Sequence, residues 1–296
     1  MSFYHSLYAW IIFGFLIFLY LIFSKSPAPY GRHFSKQWGP SLNNNWGWFW
    51  MELPALLVFP VIVLTSSREI NFVLILMLSI WVIHYFYRTI LFPLKLKTKS
   101  KKIPILIIVS AFIFNIINGF FVSYEVAYLS PEFKFGLNTI VGSILFFVGM
   151  VINRYSDNKL ISLRTKNTDY QIPKGGLFKL ISCPNHFGEI IEWLGFAIMV
   201  WNLGALSFAL WTAFNLIPRS LNHHKWYNTH FSNGDFYEGE WLKNKRQGKG
   251  TFYFSNGKIY KGEFKENEQT GRGTLTVQDG SKYSGIFKNG KIVQRD

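Results

Sequence analysis

The sequence has few of the residues on which soluble enzymes and disulfide-stabilised proteins depend. Cys183 is its single cysteine, which excludes an internal disulfide and gives no basis for a zinc site. Charged residues make up only 16% of the 296 positions, whereas aromatic residues make up 19%, a balance far from that of average soluble domains. The composition therefore favours a protein with much of its surface in lipid.

The usual signatures of soluble nucleotide-binding domains are also missing. No Gly-x-Gly-x-x-Gly follows a strand pattern, and no Walker-type phosphate loop occurs. If a dinucleotide binds, it must be held within the apolar part of the chain by scattered Arg, Asn and Tyr side chains. No metal site is expected either, because the adjacent His223 and His224 would point about 100° apart on a helix.

Acidic residues are scarce. The chain has 16 Asp and Glu against 31 Lys and Arg, a net charge of +15. The first 233 residues hold 19 of the basic and 8 of the acidic residues, and the excess lies mostly in loops between apolar runs. This placement is the positive-inside pattern of membrane proteins and differs from a basic nucleic-acid-binding face. We therefore expect contact with membrane lipid and none with nucleic acid.

Seven apolar runs are candidates for membrane-spanning helices. They cover residues 7–23, 46–66, 70–92, 103–122, 137–152, 187–201 and 203–218. A signal peptide is the rival interpretation of the first run, but the first five residues carry no Lys or Arg and no small-x-small cleavage site follows. The sequence thus predicts a multi-pass α-helical membrane protein with seven transmembrane helices.

The basic residues of the connections predict the topology. Lys and Arg number 3, 5 and 6 in one set of alternate connections and 1, 1 and 0 in the other. The first set is 24–45, 93–102 and 153–186, and the second is 67–69, 123–136 and 202. Because basic connections stay in the cytoplasm, the N-terminus is predicted outside and the C-terminus in the cytoplasm.

The last 62 residues follow a repeat of 23 residues, the interval between Tyr237, Tyr260 and Tyr283. Asn256-Gly257 and Asp279-Gly280 are strong hairpin signals, so each unit is predicted to be a β-hairpin that stacks on the next. The stretch YEGEW-x5-QGKGTF resembles the MORN repeat, with two complete units and a truncated third. We predict a membrane domain at 1–231 and a repeat module at 232–296, which lies near the cytoplasmic face and contacts the membrane surface or a protein.

Carboxylates in apolar runs are the main candidates for function. Glu189 and Glu192 are three residues apart and share one face of a predicted helix, with Trp193 one turn beyond Glu189. Glu52 lies in the second apolar run, and Tyr85 lies in the third. Ionisable groups in a bilayer are costly, which favours a functional role, although a solvated helix end or a structural hydrogen bond between helices would also explain them.

Four motifs resemble the steroid 5α-reductase family over roughly residues 25–231. They are the stretch 153–193, the stretch PRSLNHHKWY at 218–227, WFWMELP at 48–54 and HYFYRT at 84–89. The resemblance implies a membrane-embedded, NADPH-dependent enzyme that reduces 3-oxo-Δ4-steroids to 5α-3-oxosteroids by adding hydride to C5. The chain is similar to a bacterial-type member, which implies the bacterial inner membrane.

The resemblance also implies site residues. Glu52 and Tyr85 would bind and polarise the C3 carbonyl, and Met51 stands where many animal members have Gln, which leaves the steroid preference open. For NADPH, the residues implied by the family or suited by charge and position are Tyr30, Arg88, Asn153, Asp157, Arg164, Tyr170, Asn185, Glu189, Trp193, Arg219, His223 and Tyr227.

Other functions remain open at this point. A polyprenal reductase or a very-long-chain enoyl-thioester reductase would keep the fold and change the lipid. An isoprenylcysteine-type methyltransferase, which uses S-adenosylmethionine, shares a related C-terminal half. A non-enzymatic membrane anchor for a repeat scaffold would leave the buried polar residues unexplained. The Glu-Leu-Pro and His-Tyr-x-x-Arg-Thr motifs favour the steroid group.

Overall fold

The structure is a computed structural model that describes residues 2–24, 38–96, 101–166, 173, 175–231, 235–242 and 245–296. Within these ranges, a few side chains near 164–166 and 226–241 are not described. The chain forms two compact units, Met1–Ser220 and Leu221–Asp296. The first is helical and the second contains the repeats.

Long helices make up the first unit and run on into the start of the second. They are α1 (Phe3–Phe23), α2 (Asn44–Thr65), α3 (Phe72–Phe86), a π-helical turn (Tyr87–Leu91) leading into α4 (Phe92–Lys95), α5 (Ile105–Tyr124) with a π-helical turn (Glu125–Leu129), α6 (Leu137–Lys166), α7 (Pro184–Val200) and α8 (Leu203–Phe231). A short 3₁₀ turn covers Gly176–Lys179.

Five segments of the described chain are long and apolar enough to cross a membrane. They are Phe3–Phe23, Asn44–Thr65, Phe72–Lys95, Ile105–Leu129 and Leu137–Leu163. The predicted spans at 187–201 and 203–218 are also helical, but α7 has only 17 residues. An apolar, multi-helix membrane protein is therefore supported, whereas the predicted number of seven spans is not confirmed.

The predicted connection at 153–186 was wrong at its start, because α6 continues to Lys166. Asn153 and Asp157 are four residues apart on this helix, so both turn the same way, towards α7. There Asn153 Nδ2 donates to the backbone oxygen of Asn185 at 3.0 Å. Asn153 and Asp157, which the sequence placed in a loop, are thus buried side chains with partners on the neighbouring helix.

Helices α6 and α7 approach so closely because glycines face each other at the crossing. Gly142 and Gly149 are seven residues apart on α6, as are Gly188 and Gly195 on α7. A Cβ on Gly142 would lie 2.6 Å from the Gly195 oxygen, and a Cβ on Gly188 would lie 2.6 Å from the Asn153 nitrogen. Small residues in this pattern let backbones touch within a membrane.

Aromatic side chains fill the interior of the first unit. The Trp81 ring stacks on Phe59 with 4.4 Å between centroids, and its Nε1 donates to the Ala55 oxygen at 2.7 Å. Trp193 packs against Phe208 at 4.5 Å, which joins α7 to α8. A short antiparallel pair, β1 (Ser41–Asn43) with β2 (Lys102–Pro104), brings together the N-terminal ends of α2 and α5.

The second unit contains one antiparallel sheet of six strands in sequence order. The strands are β3 (Phe236–Leu242), β4 (Lys245–Tyr253), β5 (Ile259–Lys265), β6 (Glu268–Thr276), β7 (Lys282–Lys288) and β8 (Lys291–Arg295). The predicted turns at Asn256-Gly257 and Asp279-Gly280 join β4 to β5 and β6 to β7. The predicted hairpin repeats are confirmed.

Turns of a second kind alternate with these and were not predicted. Glu266 and Asn267 join β5 to β6 with φ of 52° and 78°, and Asn289 and Gly290 join β7 to β8 with φ of 51° and 74°. Two successive positive φ values are typical of the tight type I′ hairpin turn. Glutamate is uncommon there, so Glu266-Asn267 gave no clear turn signal.

Contacts between successive repeats explain the strict period of the tyrosines. Tyr237 packs edge-on against Phe264 at 4.7 Å, and Tyr260 packs in the same way against Phe287 at 4.8 Å. A Cβ on Gly262 would lie 2.5 Å from the Tyr260 hydroxyl, so only glycine fits beneath this ring. Burial raises the pKa of Tyr260 to about 12, and its protonated hydroxyl donates to the Glu263 oxygen at 3.3 Å.

Candidate active site

A cavity of about 160 Å³ lies among α2, the α3–π segment, α5, α7 and α8. Six of the predicted site residues, from four separate parts of the chain, line it. They are Glu52, Tyr85, Arg88, Glu189, Trp193 and Arg219. Apolar side chains such as Ile107, Phe114 and Leu216 complete much of the wall. The cavity thus combines an apolar lining with a few polar groups, as binding sites for small molecules do.

Arg88 links two carboxylates at this cavity. Its Nη2 is 3.4 Å from Glu52 Oε1, and its Nη1 is 3.5 Å from Asp157 Oδ2. The guanidinium also lies over the Trp48 ring, 4.9 Å from the centroid. A buried cation needs such partners to offset the loss of water. Arg88 therefore holds the carboxylate of α2 in place relative to that of α6.

A structural hydrogen bond between Glu52 and Tyr85, the alternative explanation of these two residues, is not present among the described residues. Glu52 pairs with Arg88 instead, because a charged donor forms a stronger bond to a carboxylate than a phenol does. Tyr85 is held by its ring, which packs 5.5 Å from Trp193 between centroids. Both side chains still line the same cavity, so each can reach one ligand there.

Directly beside Tyr85, His84 forms a buried pair with Glu192. Its Nδ1 is 2.6 Å from Glu192 Oε1, and the two side chains are 4% and 1% exposed. The His84 ring also packs on Trp193 at 4.8 Å. This pair joins α3 to α7 directly beside Tyr85 and Trp193, which line the cavity. Glu192 therefore helps to position these two side chains.

Asparagines anchor the polar residues of α6 and α7 to each other. Asn153 Nδ2 is 3.3 Å from Glu189 Oε2, and Asn185 Nδ2 donates to Asp157 Oδ1 at 3.2 Å. Glu189 itself faces the cavity. Amide and carboxylate groups held in this way offer both acceptors and donors, which suits the recognition of a carboxamide.

Five other predicted residues lie outside the described part of the chain or in the second unit. Tyr30 and Tyr170 lie outside the described residues, and so does the side chain of Arg164. His223 and Tyr227 belong to the last part of α8, in the second unit, with 6.1 Å between their ring centroids. Their predicted roles stay predictions.

Several residues of the cavity were missed by sequence reasoning. Trp48, Asn115, Trp211 and Asn215 all line it. Trp48 belongs to the WFWMELP motif at 48–54 and lies four residues before Glu52, so the sequence could have indicated its place at the site. The others stand in apolar runs without a pattern, and only the packing of α5 against α2 and α8 shows which way they face.

Comparisons with known proteins agree with this arrangement of motifs. The profile of the family "3-oxo-5-alpha-steroid 4-dehydrogenase" matches residues 101–238, and the MORN repeat profile matches residues 237–259 and 260–282. The steroid 5-alpha-reductase DET2 of Arabidopsis thaliana is 39% identical over 214 residues, which covers 69% of this chain and 82% of the relative.

Two mammalian relatives are similar over a comparable share of the chain. The 3-oxo-5-alpha-steroid 4-dehydrogenase 1 of Rattus norvegicus is 36% identical over 226 residues, covering 74% of this chain and 86% of the relative. The 3-oxo-5-alpha-steroid 4-dehydrogenase 2 of Sus scrofa is 33% identical over 215 residues, covering 70% and 83%.

Proposed function

Because the chain belongs to the 3-oxo-5-alpha-steroid 4-dehydrogenase family, we propose that it reduces the Δ4 double bond of a 3-oxo-Δ4-steroid or a steroid-like lipid, with NADPH as its cofactor. The single observation that carries the proposal is that Glu52, Tyr85, Arg88 and Glu189 meet at one cavity with an otherwise largely apolar lining. The enzyme is an oxidoreductase of the membrane.

Glu52 and Tyr85 polarise the C3 carbonyl in this proposal. The Tyr85 hydroxyl, as a buried neutral phenol, donates a hydrogen bond to the carbonyl oxygen, where negative charge develops as the enone is reduced. Arg88 holds Glu52 in place through its Nη2, which lies 3.4 Å from Glu52 Oε1. Donors fixed in an environment poor in water stabilise such charge more than they would in water.

The residues on α6 and α7 fit the nicotinamide part of the cofactor. When bound, NADPH would supply the hydride that adds to C5, and a proton added at C4 would complete the reduction. Glu189, which faces the cavity, and Asn185 hold the carboxamide, while Asn153 and Asp157 fix these two side chains through the hydrogen bonds described above. Arg219 lines the cavity and provides positive charge for the phosphate groups. Arg164, Tyr170, Tyr30, His223 and Tyr227 complete the proposed cofactor site.

The orientation in the membrane follows from the basic connections. We place the N-terminus outside and both the cofactor entrance and the repeats in the cytoplasm, in a bacterial inner membrane. This orientation gives the cofactor site direct access to cytoplasmic NADPH, while the substrate enters from the lipid.

Purified protein in detergent, given NADPH and a 3-oxo-Δ4-steroid such as testosterone, tests the proposal. We expect NADPH oxidation and formation of the saturated 5α ketone. Turnover with NADH should be much slower, because NADH lacks the 2′-phosphate that basic side chains of the site would bind. Parallel incubations use a polyprenal, a long-chain enoyl thioester, and S-adenosylmethionine with an isoprenylated cysteine. Product from one of these and none from any steroid enone would overturn the proposal.

A further inference from the structure

The wall of the cavity formed by α5 and α8 carries polar side chains that the proposed reaction does not use. Asn115 comes from α5, and Trp211, Thr212 and Asn215 come from α8. Trp211 and Asn215 are four residues apart, so they lie on the same side of α8. None of these residues belongs to the carbonyl-binding pair on α2 and α3.

Two of these four side chains, Trp211 and Asn215, form no side-chain hydrogen bond to any described residue. Asn115 Nδ2 donates to the Met51 oxygen at 2.7 Å, and Thr212 Oγ1 donates to the Phe208 oxygen at 3.0 Å. By contrast, the buried indole nitrogen of Trp211 has no hydrogen-bond partner in the part of the chain that the structure describes. The Asn215 amide likewise forms no hydrogen bond to any described residue.

The unpaired N–H donor of Trp211 is significant because the residue is buried. The residue is only 5% exposed, and its ring is held between Trp10 at 4.7 Å and Phe114 at 5.0 Å. A buried N–H donor without a partner is unfavourable and uncommon in folded proteins. An acceptor on a bound molecule would satisfy this donor, and the Asn215 amide can bind the same atom as donor or acceptor.

We propose that Trp211 and Asn215 form a polar subsite that binds a second oxygen atom of the substrate, separate from the C3 carbonyl. The ligand class is therefore an enone lipid that carries another hydroxyl or carbonyl group, and a purely hydrocarbon remainder is disfavoured. The inference rests on the proposed function, because it assumes that Glu52 and Tyr85 bind the C3 carbonyl of the same molecule.

Equilibrium binding tests the subsite without turnover. Testosterone and progesterone each carry a second oxygen, whereas androst-4-en-3-one has the same enone and ring system and lacks it. We expect the wild-type protein to bind at least one of the oxygenated steroids about tenfold more tightly than androst-4-en-3-one, the scale of one buried hydrogen bond. Asn215→Leu and Trp211→Phe should reduce that preference and leave the affinity for androst-4-en-3-one nearly unchanged.

The unchanged affinity for androst-4-en-3-one shows that each variant is folded, and Trp46→Phe, at an exposed position on α2, is the matched control. Equal affinities of the wild-type protein for all three steroids would overturn the subsite. A preference that survives both substitutions would also overturn it. Selective binding without any reduction by NADPH would instead contradict the proposed function and leave the subsite standing.

Discussion

At the scale of single residues, Arg88 is the group on which the site depends. Its guanidinium bridges Glu52 on α2 and Asp157 on α6, at 3.4 Å and 3.5 Å, and packs over Trp48. Asp157 in turn accepts from Asn185 on α7. The proposed carbonyl-binding and cofactor-binding groups are thus parts of one connected polar network in an apolar fold.

Substitutions at the proposed carbonyl-binding pair should reduce turnover and spare cofactor binding. Glu52→Gln and Tyr85→Phe each remove one polarising contribution, and we expect turnover to fall by about 10²-fold. NADPH affinity should stay within about twofold of wild type, because neither side chain contacts the α6–α7 asparagines; steady-state kinetics and NADPH titration measure the two effects.

Exposed positions supply matched controls for these variants. Glu69→Gln and Tyr128→Phe make the same chemical changes outside the cavity and should keep normal turnover. Near-normal turnover of both cavity variants would place the carbonyl site elsewhere in the protein.

The buried pair of His84 and Glu192 should behave as one unit. Removing either partner leaves a buried polar or charged group alone, which costs about 3–5 kcal/mol for a buried ion pair. We expect His84→Phe and Glu192→Leu each to lower the melting temperature strongly. The double variant should be more stable than the sum of the two losses implies, because it leaves neither partner alone.

Thermal unfolding of the wild type, both single variants and the double variant measures this coupling. Strictly additive losses would mean that the two side chains do not depend on each other, contrary to their 2.6 Å contact. The NADPH affinity of the double variant reports whether α7 keeps its position.

At the scale of elements, the α6–α7 crossing and the π-helical turns set where the polar groups lie. Gly149 and Gly188 allow backbone contact, so Asn153 reaches the Asn185 oxygen at 3.0 Å. The turn Tyr87–Leu91 contains Arg88 and precedes Pro93, which has no N–H to continue an α-helical pattern. π-Helical turns of this kind are frequent at functional sites.

Adding a methyl group at the helix crossing should disturb both stability and cofactor binding. A Cβ at Gly149 would lie 2.5 Å from the Gly188 oxygen, a backbone atom that cannot move without its helix. Gly149→Ala should therefore destabilise the protein by about 1–3 kcal/mol, the usual range for overpacking, and weaken NADPH binding.

Val148→Ala is the control for this substitution, because the neighbouring residue of the same helix is 47% exposed. Melting temperatures and NADPH titrations of the two variants should differ clearly. If Gly149→Ala matched the wild type in both, the glycine contact would not determine the spacing of α6 and α7.

At the scale of the whole molecule, two units of different construction share one chain. The first unit is apolar and holds the cavity, and the second contains a sheet in which Tyr237 and Tyr260 each pack on a phenylalanine of the next repeat. The repeats contain no residue of the described cavity. The sheet has its own hydrophobic cluster, which side chains of the repeats form.

A chain that stops after Phe231 keeps all of α8 and loses the whole sheet. We expect it to insert into membranes and to reduce substrate with normal NADPH affinity, because no sheet residue lines the cavity. Turnover and NADPH titration of the truncated and full-length proteins measure this. A truncated protein that folds and fails to bind NADPH would show that the repeats belong to the active site.

The sequence by itself determined the apolar helices and the 23-residue hairpin repeats. Both follow from local patterns: the helices from long uncharged runs, and the repeats from periodic Tyr and Gly with Asn-Gly turns. The resemblance of its motifs also selected six residues that meet at the cavity. These patterns are local, however, whereas the six cavity residues lie far apart in the sequence, between positions 52 and 219.

Only the tertiary structure decided how these groups are paired. It paired Glu52 with Arg88 and not with Tyr85, and it extended α6 through Asn153 and Asp157. It also turned Trp211 and Asn215 towards the cavity. The physical reason is that a buried polar side chain takes the best partner that packing brings within reach, and packing between distant helices leaves no periodic signal in the sequence.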